Sequence, residues 1–212
     1  MNYNEIRAES LRLMFSGAGI DVEINGEENG SGVGLSLLEN DENIGSFLKN
    51  MRGSVNRCFS LIEAKGVLPD RTVSLDVTCD GAIGSAELPD DCYSPIKVAM
   101  HSGYSARANV TWRREGNEIL IYDCDPEAIY VLIYKPRIKR LKKGLDDFCE
   151  IDLPENIAEH IPYFIKGDLF REDEPSEAAE ARNWFEAAMS ELSFSREGEQ
   201  RSVETLYGGM MS

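Results

Sequence analysis

The chain is poor in the residues on which most metal and nucleophilic sites depend. It contains two histidines, His101 and His160, and none of its five cysteines forms a CxxC pair. A structural zinc site needs clustered thiolate and imidazole ligands, and a nucleophilic serine or cysteine needs a nearby base. No catalytic motif surrounds either histidine. We therefore expect no metal, no cofactor and no enzymatic activity.

Long apolar runs are also missing. No stretch approaches the roughly 20 apolar residues that a membrane-spanning helix requires. The first residues contain Glu5 and Glu9 and lack the apolar core of a secretory leader. The odd number and scattered positions of the cysteines predict reduced thiols that act as small apolar residues in a cytosolic setting. These cysteines are Cys58, Cys79, Cys92, Cys124 and Cys149.

Positive charge is scarce. The 212 residues include 22 Lys and Arg against 38 Asp and Glu, which gives a net charge of −16. Nucleic acids and anionic membranes repel such a chain, so the charge argues against a general binder of either. Acidity by itself indicates solubility, and a sharper interpretation is a surface that does not adhere to DNA passing nearby. The length fits one large domain or two small ones.

The apolar pattern predicts helices at both ends of the chain and strands between them. A short helix is expected over 3–15, and a stronger one over 41–65, with Asp41 as N-cap and Gly66 just after its end. Between about 70 and 135, short β-rich runs alternate with turn signals, including a two-residue turn at Gly116–Asn117. This pattern favours an antiparallel sheet or a small barrel.

Residues 149–192 read as two amphipathic helices joined by a short acidic turn. Pro162 predicts a kink or a fresh helix start, and Pro175 opens the second helix. In the apolar stripe of the second helix we include Trp184, and we expect Gly167 to loosen the first. The tail after Leu192 shows no clear period.

Together these elements predict an α+β fold. A helical bundle, made of N-terminal helices and a C-terminal helical hairpin, carries an inserted antiparallel β-sheet or barrel domain. The expected segments are 1–66 (N-terminal helices and a flexible loop), 67–140 (inserted β-domain), 141–193 (helical hairpin) and 194–212 (extended tail).

Two patterns suggest chemistry but have simpler explanations. Asp123, Asp125 and Glu127 have a spacing that can gather a hard cation, yet the calcium-loop glycine and closing glutamate are missing, so a turn is favoured. The glycine-rich segments 30–34 and 81–84 lack the lysine and hydroxyl residue of a phosphate loop, so both are interpreted as flexible connections.

One basic block interrupts the acidic chain at 135–143. It can be a solvated connection, a docking strip for an acidic partner, or a phosphate contact that the overall charge disfavours. Trp112 and Trp184 are expected as core or interface anchors. The candidate interface residues are Lys135, Arg137, Lys139, Arg140, Lys142, Lys143, Trp184 and Tyr207.

The stretch 153–192 follows a recurring family pattern, written IPYY(V/I)KA-L…ED-P--A---RN-FE-AL-EL. Its matching residues here are Ile161, Pro162, Tyr163, Ile165, Lys166, Leu169, Glu172, Asp173, Pro175, Ala178, Arg182, Asn183, Phe185, Glu186 and Leu192. In this pattern the stretch resembles the C-terminal hairpin of head-to-tail adaptor proteins of tailed bacteriophages. Segments 56–75 and 88–100 resemble the family's helix leading into its first strand and a strand pair of its inserted β-domain. Phe164 and Gly167 depart from the Tyr and Ala that the family often shows.

The resemblance covers about residues 40–192 and implies a structural virion protein. Such adaptors form a ring, commonly of twelve copies, beneath the portal, where they extend the DNA channel and provide a docking platform for tail or neck proteins. It implies a homo-oligomer located at the head–tail interface of the virion and made in the host cytoplasm, through which DNA passes without specific binding and which contacts no membrane. We expect the 25–34 loop and the C-terminal tail to contact other chains.

Two alternatives remain open from the sequence. One is another neck or tail-completion protein that forms its own ring. The other is a metal-dependent hydrolase that uses Asp123 and Asp125, for which a base and further ligands are missing.

Overall fold

The structure is a computed structural model that describes residues 1–15, 22–23, 33–34, 44–102, 105–107, 110–142 and 149–208, with side chains of the last helix described as far as Ser193. It is a mixed α+β structure, as predicted, and it contains two four-stranded antiparallel sheets. The chain divides into two compact units. The helical unit comprises Met1–Val67 and Ile138–Ser212, and the sheet unit comprises Leu68–Arg137.

The helical unit contains five helices and a short parallel pair of two-residue strands among its described residues. The helices are α1 (Tyr3–Phe15), α2 (Ile44–Lys65), α3 (Glu155–Ala158), α4 (Ile161–Leu169) and α5 (Pro175–Gly208), and the strands are β1 (Val22–Glu23) and β2 (Val33–Gly34). Helix α4 packs against α1, α2 and α5. None of the helices in the described part of the chain is long and apolar enough to cross a membrane.

Helix α2 follows the predicted apolar stripe. Its buried side chains recur at intervals of three and four residues, which places them on one face. The helix ends as predicted at Gly66, whose φ of 66° is a left-handed conformation that glycine adopts without steric cost. The expected N-cap Asp41 lies outside the described residues. The buried apolar members of the stripe are Ile44, Leu48, Met51, Val55, Cys58, Phe59 and Ile62.

Helix α1 begins with a reciprocal cap. The Asn2 side chain accepts a hydrogen bond from the backbone N–H of Glu5 at 2.9 Å, and the Glu5 carboxylate accepts one from the N–H of Asn2 at 2.7 Å. Two donors of the first turn are thereby satisfied. The same end of the chain pairs with the segment before α3, because Ile151 donates to the carbonyl of Met1 at 3.2 Å.

Pro162 lies in the first turn of α4, so the predicted fresh helix start is the one observed. The expectation that Gly167 loosens this helix stays a prediction, and the structure shows a second role for the residue. A Cβ at Gly167 would lie 3.0 Å from the carbonyl oxygen of Ala178 and 3.1 Å from the Cβ of Arg182. The glycine therefore permits close packing between α4 and α5. Phe164 and Phe185 meet edge-to-face across the same contact, with ring centroids 5.2 Å apart.

Helix α5 continues to Gly208, where an extended tail was expected from residue 194. Proline does not recur after Pro175 within the helix, and Glu, Gln, Arg and Leu in this region are good helix formers. The sequence lacks a clear apolar period after Leu192, but a helix can form without one.

The sheet unit contains two four-stranded antiparallel sheets, where the sequence predicted one sheet or a barrel. Their strand orders are β3–β10–β6–β7 and β4–β5–β9–β8. Strands β8 and β9 pair through the predicted turn at Gly116–Asn117, where Gly116 has a φ of 60°. The strands are β3 (Arg71–Leu75), β4 (Thr78–Asp80), β5 (Ile83–Glu87), β6 (Cys92–Ser102), β7 (Ser105–Arg107), β8 (Trp112–Glu115), β9 (Glu118–Tyr122) and β10 (Ile129–Pro136).

Both sheets contribute to one core. Alternate residues of β10, namely Tyr130, Leu132 and Tyr134, are buried, and they cluster with Ile119 and Ile121 of the other sheet. The period of two residues places these side chains on the inner face of each sheet. Trp112 packs against this cluster, so it is a core anchor of the sheet unit.

The expectation of five reduced cysteines is wrong for one pair. Cys79 and Cys124 form a disulfide, with Cα atoms 5.9 Å apart and a sequence separation of 45. Gly84 lies against this bond, because a Cβ there would be 2.5 Å from the Cys124 sulfur. Cys58 and Cys92 are buried free thiols, which agrees with their predicted role as apolar residues.

Candidate functional site

The basic block is fixed to helix α2 by the side chains of two α2 residues. The amide of Asn56 accepts a hydrogen bond from the N–H of Leu141 at 2.9 Å and donates to its carbonyl at 3.0 Å. The Glu63 carboxylate accepts one from the N–H of Ile138 at 2.6 Å. Ile138 and Leu141 are buried. The segment 138–141 therefore has a defined conformation in the helical unit.

Two of the predicted interface cations have acidic partners inside their own unit. Arg140 contacts the Glu63 carboxylate at 2.5 Å, and the Glu63 side chain is only 3% exposed. In the sheet unit, Lys135 pairs with Asp70 at 2.7 Å and both side chains are largely covered. Each of these cations neutralises a carboxylate that is largely removed from water, which is a structural task. Their role as partner-binding residues stays a prediction.

The other cations of the block differ from these two. Arg137 is exposed in the sheet unit, where its backbone N–H donates to the carbonyl of Asp91 at 2.6 Å. Lys139 and Lys142 are exposed in the helical unit, on either side of Arg140 and Leu141. Lys143 lies outside the described residues. We call Lys139 and Lys142 the lysine edge, because the fixed segment between them presents both ammonium groups to solvent.

Trp184 is not a core residue. Its side chain is 63% exposed, whereas Ala178, Ala181, Phe185 and Met189 form the buried stripe of α5. The stripe contacts α4, and Trp184 lies beside it, since residues one position apart on a helix differ by about 100° in direction. The ring of Tyr163 on α4 is the neighbour of the indole, with centroids 6.5 Å apart. Of the two predicted roles, core or interface anchor, only the second fits this exposure.

Around Trp184 the helix surface forms a shallow depression of about 540 Å³. We call this surface the tryptophan face, and it is lined by Ser176, Ala179, Glu180, Asn183, Trp184 and Ala187. The serine and alanine side chains of this surface are small, so the indole of Trp184 remains accessible to solvent. The predicted interface residue Tyr207 lies farther along α5, and its side chain is outside the described part.

The tryptophan face is acidic. Glu180 lies one helical turn before Trp184 and is exposed, and the structure shows no ion pair for it within the described residues. Two neighbouring glutamates of α5 are already paired, Glu177 with Lys166 at 2.7 Å and Glu186 with Arg182 at 3.5 Å. An exposed indole beside an unpaired carboxylate is suited to a cationic side chain, because both the ring face and the carboxylate attract positive charge.

The carboxylate cluster after β9 is a turn. The Asp125 carboxylate accepts a hydrogen bond from the backbone N–H of Glu127 at 3.0 Å, and the Asp125 N–H donates to the hydroxyl of Tyr130 at 2.7 Å. Asp123 has a φ of 56°, which aspartate tolerates in tight turns. Among the described residues no group of three His, Cys, Asp or Glu side chains could hold a metal ion.

The buried thiols are poor nucleophiles. Burial raises the pKa of Cys58, and the pKa of Cys92 is raised mainly by burial as well. Asp91, next to Cys92, accepts hydrogen bonds from the Tyr134 hydroxyl at 2.9 Å and from Arg71 at 2.7 Å. Burial and the bond to Asp91 raise the pKa of Tyr134 to about 12. Both thiols and the Tyr134 hydroxyl therefore remain protonated at neutral pH, Cys58 in the helical unit and the other two in the sheet unit.

The chain matches no protein-family model, and no curated protein matches it.

Sequence reasoning missed the two α2 residues that hold the basic block. Glu63 follows Ile62 and lies four residues after Phe59, so a charge occurs at the border of the apolar stripe. Such a position indicates a buried carboxylate that needs a cationic partner. It does not indicate which of the twenty-two Lys and Arg residues is that partner. Asn56 gave no comparable signal.

Proposed function

We propose that this protein is a structural virion component, the head-to-tail adaptor of a tailed bacteriophage. Copies of the chain assemble as a ring of twelve beneath the portal, extend the DNA channel and present a platform on which tail or neck proteins dock. The protein is not an enzyme and needs no cofactor. It is made in the host cytoplasm and functions at the head–tail interface of the virion.

One architectural observation carries the proposal. A helical unit is assembled from both ends of the chain, and a sheet unit of two antiparallel sheets is inserted between its halves. This is the organisation that the resemblance over residues 40–192 implies. In the proposal, α1, α2, α4 and α5 form a helical bundle, with α4 and α5 as its C-terminal hairpin.

Two further features support an assembly role. Trp184 is 63% exposed on a well-packed helix, and large exposed aromatic side chains are enriched at protein interfaces. The net charge of −16 suits a ring that surrounds DNA without adhering to it, because phosphates and carboxylates repel each other.

The test is the mass of the purified full-length protein in solution, alone and after mixing with the portal protein of the same phage, measured by light scattering and native mass spectrometry. The proposal predicts a complex containing a ring of this chain bound to the portal ring, visible by electron microscopy as a coaxial extension of the channel. A protein that stays monomeric and never associates with portal would refute it.

The alternative of another neck or tail-completion protein is separated by the same measurement. Such a protein would form a ring that binds tail components and leaves the portal unbound. The hydrolase alternative requires metal binding through Asp123 and Asp125 together with an activity that Asp125→Asn abolishes. The turn hydrogen bonds of Asp125 give that alternative no support.

A further inference from the structure

We propose that neighbouring copies of this chain associate through two unlike surfaces, and that the tryptophan face of one copy binds the lysine edge of the next. The inference rests on the proposed function, because it names the contact by which the ring closes. One ammonium group, from Lys139 or Lys142, approaches the exposed indole of Trp184, and the other approaches the carboxylate of Glu180.

The receiving surface has the chemistry for this occupant. Trp184 offers an accessible indole face in a depression with alanine and serine walls, and tryptophan is the aromatic side chain that binds cations best. Glu180 supplies a carboxylate on the same face, one turn away. Since Glu177 and Glu186 already have basic partners within the copy, Glu180 is the carboxylate of this surface left for a partner's cation.

The donating surface is preorganised. Asn56 and Glu63 fix the backbone between Ile138 and Leu141, so Lys139 and Lys142 project from a segment that loses little backbone freedom on binding. Arg140 lies between them but points to Glu63, which it neutralises. The lysine edge therefore keeps a net positive charge, in a chain that is otherwise strongly acidic.

A two-fold contact between identical tryptophan faces is disfavoured. It would bring the Glu180 carboxylates of both copies into one interface with no cation from either tryptophan face to neutralise them, and desolvating unpaired like charges costs binding energy. Contact with the lysine edge instead pairs opposite charges at two positions.

The two surfaces belong to different parts of the helical unit. The lysine edge is attached to α2, the tryptophan face belongs to α5, and α4 packs against both helices. Each copy thus carries one donating and one receiving surface. A contact between unlike surfaces generates a closed ring when the rotation between copies closes, and a filament when it does not.

The first experiment uses the wild-type full-length chain. An equal mixture of isotope-labelled and unlabelled protein is assembled and treated with a carbodiimide, which joins a lysine amine to a carboxylate in direct contact. Peptide mass spectrometry then identifies each joined pair. The proposal predicts that Lys139 or Lys142 of one copy is joined to Glu180 of another, seen as mixed-isotope pairs.

The second experiment exchanges the charges. Glu180→Lys and Lys142→Glu are each expected to raise the dissociation constant of self-association about tenfold, and the double variant is expected to restore it to within about threefold of wild type. Trp184→Ala is expected to raise it about 30-fold, the size typical of a central aromatic anchor. Matched controls are Glu127→Lys and Lys49→Glu, which make the same charge changes at exposed positions that belong to neither surface.

A mixture of Trp184→Ala with Lys142→Glu distinguishes unlike from like contacts. In that mixture, the intact tryptophan face of Lys142→Glu meets the intact lysine edge of Trp184→Ala, so a one-to-one complex forms at concentrations at which each variant alone stays monomeric. Circular dichroism of each variant verifies that it is folded.

The outcomes separate this inference from the proposed function. Rings that form and bind portal, with cross-links elsewhere and no loss of assembly in Trp184→Ala and Glu180→Lys, overturn the interface and leave the adaptor function standing. Wild-type protein that never self-associates, alone or with portal, overturns both.

Discussion

Glu63→Ala tests whether Arg140 is an internal structural residue or a free cation of the basic block. The Glu63 carboxylate has two partners: the buried N–H of Ile138 at 2.6 Å and the Arg140 guanidinium at 2.5 Å. The substitution leaves the Ile138 N–H without an acceptor, which costs about 1–3 kcal/mol. The Arg140 side chain is 35% exposed, so water compensates part of its loss and we assign about 1 kcal/mol to it.

We therefore expect Glu63→Ala to lower the free energy of unfolding by about 2–4 kcal/mol. The measurement is urea unfolding of the full-length chain, followed by the helical circular-dichroism signal. Glu63→Gln should cost less, because its amide oxygen still accepts from Ile138. Glu155→Ala, at an exposed helical position, is the control and should change the free energy by no more than about 0.5 kcal/mol.

A double-mutant cycle with Arg140→Ala isolates the pair. The expected coupling free energy between Glu63 and Arg140 is about 1 kcal/mol. A loss of unfolding free energy below about 0.5 kcal/mol for Glu63→Ala, or a coupling free energy of zero, would refute the reasoning. Arg140 would then count as a free cation of the basic block.

Three further predictions concern packing, the disulfide and pH. Gly167→Ala should destabilise the protein by about 1–2 kcal/mol in urea unfolding, because the added Cβ would press on the α5 backbone. Gly53→Ala, at an exposed position of α2, should instead stabilise it by about 0.5–1 kcal/mol. Changes in the free energy of unfolding that have the same sign for both variants would contradict this. Alkylation of the denatured, unreduced chain should label three thiols rather than five, and reduction of Cys79–Cys124, with its 45-residue separation, should cost about 4 kcal/mol of stability in the loop-entropy model; an unchanged unfolding midpoint would argue otherwise. Because the fold raises the pKa of Tyr134 from 10.0 to about 12, the unfolded state ionises first, so stability should fall as pH rises through that window, and Tyr134→Phe should remove this part of the fall.

The sequence was sufficient wherever a single local pattern determined the structure. The stripe of α2, its end at Gly66, the start of α4 at Pro162 and the turn at Gly116–Asn117 each depend on residues within a few positions of one another. Periodicity, conformational preference and a missing N–H act at this range. The α+β class followed from the order of such patterns along the chain.

The candidate surfaces were harder to predict because they depend on contacts between distant residues. Arg140 meets Glu63 from 77 positions away, and composition cannot distinguish it from the exposed Lys139 and Lys142 beside it. The exposure of Trp184 was also ambiguous, since a tryptophan at the border of an apolar stripe satisfies the helical period whether it faces the core or the solvent. Pairing of Cys79 with Cys124 likewise depends on how the strands meet.

The construction of the helical unit from both chain ends has a consequence for synthesis on the ribosome. Helices α1 and α2 emerge first, but α4, which packs against both and anchors Lys166 on the carbonyl of Leu13 at 3.1 Å, emerges only after the whole sheet unit. The apolar faces of α1 and α2 that contact α4 are therefore exposed during synthesis until α4 emerges. The residues of the sheet unit are continuous in sequence, so this unit can fold before the helical unit is complete. A nascent chain released before residue 161 lacks α4 and α5 and keeps those faces exposed to chaperones and proteases, so only a chain translated through its C-terminal helices can complete the helical unit.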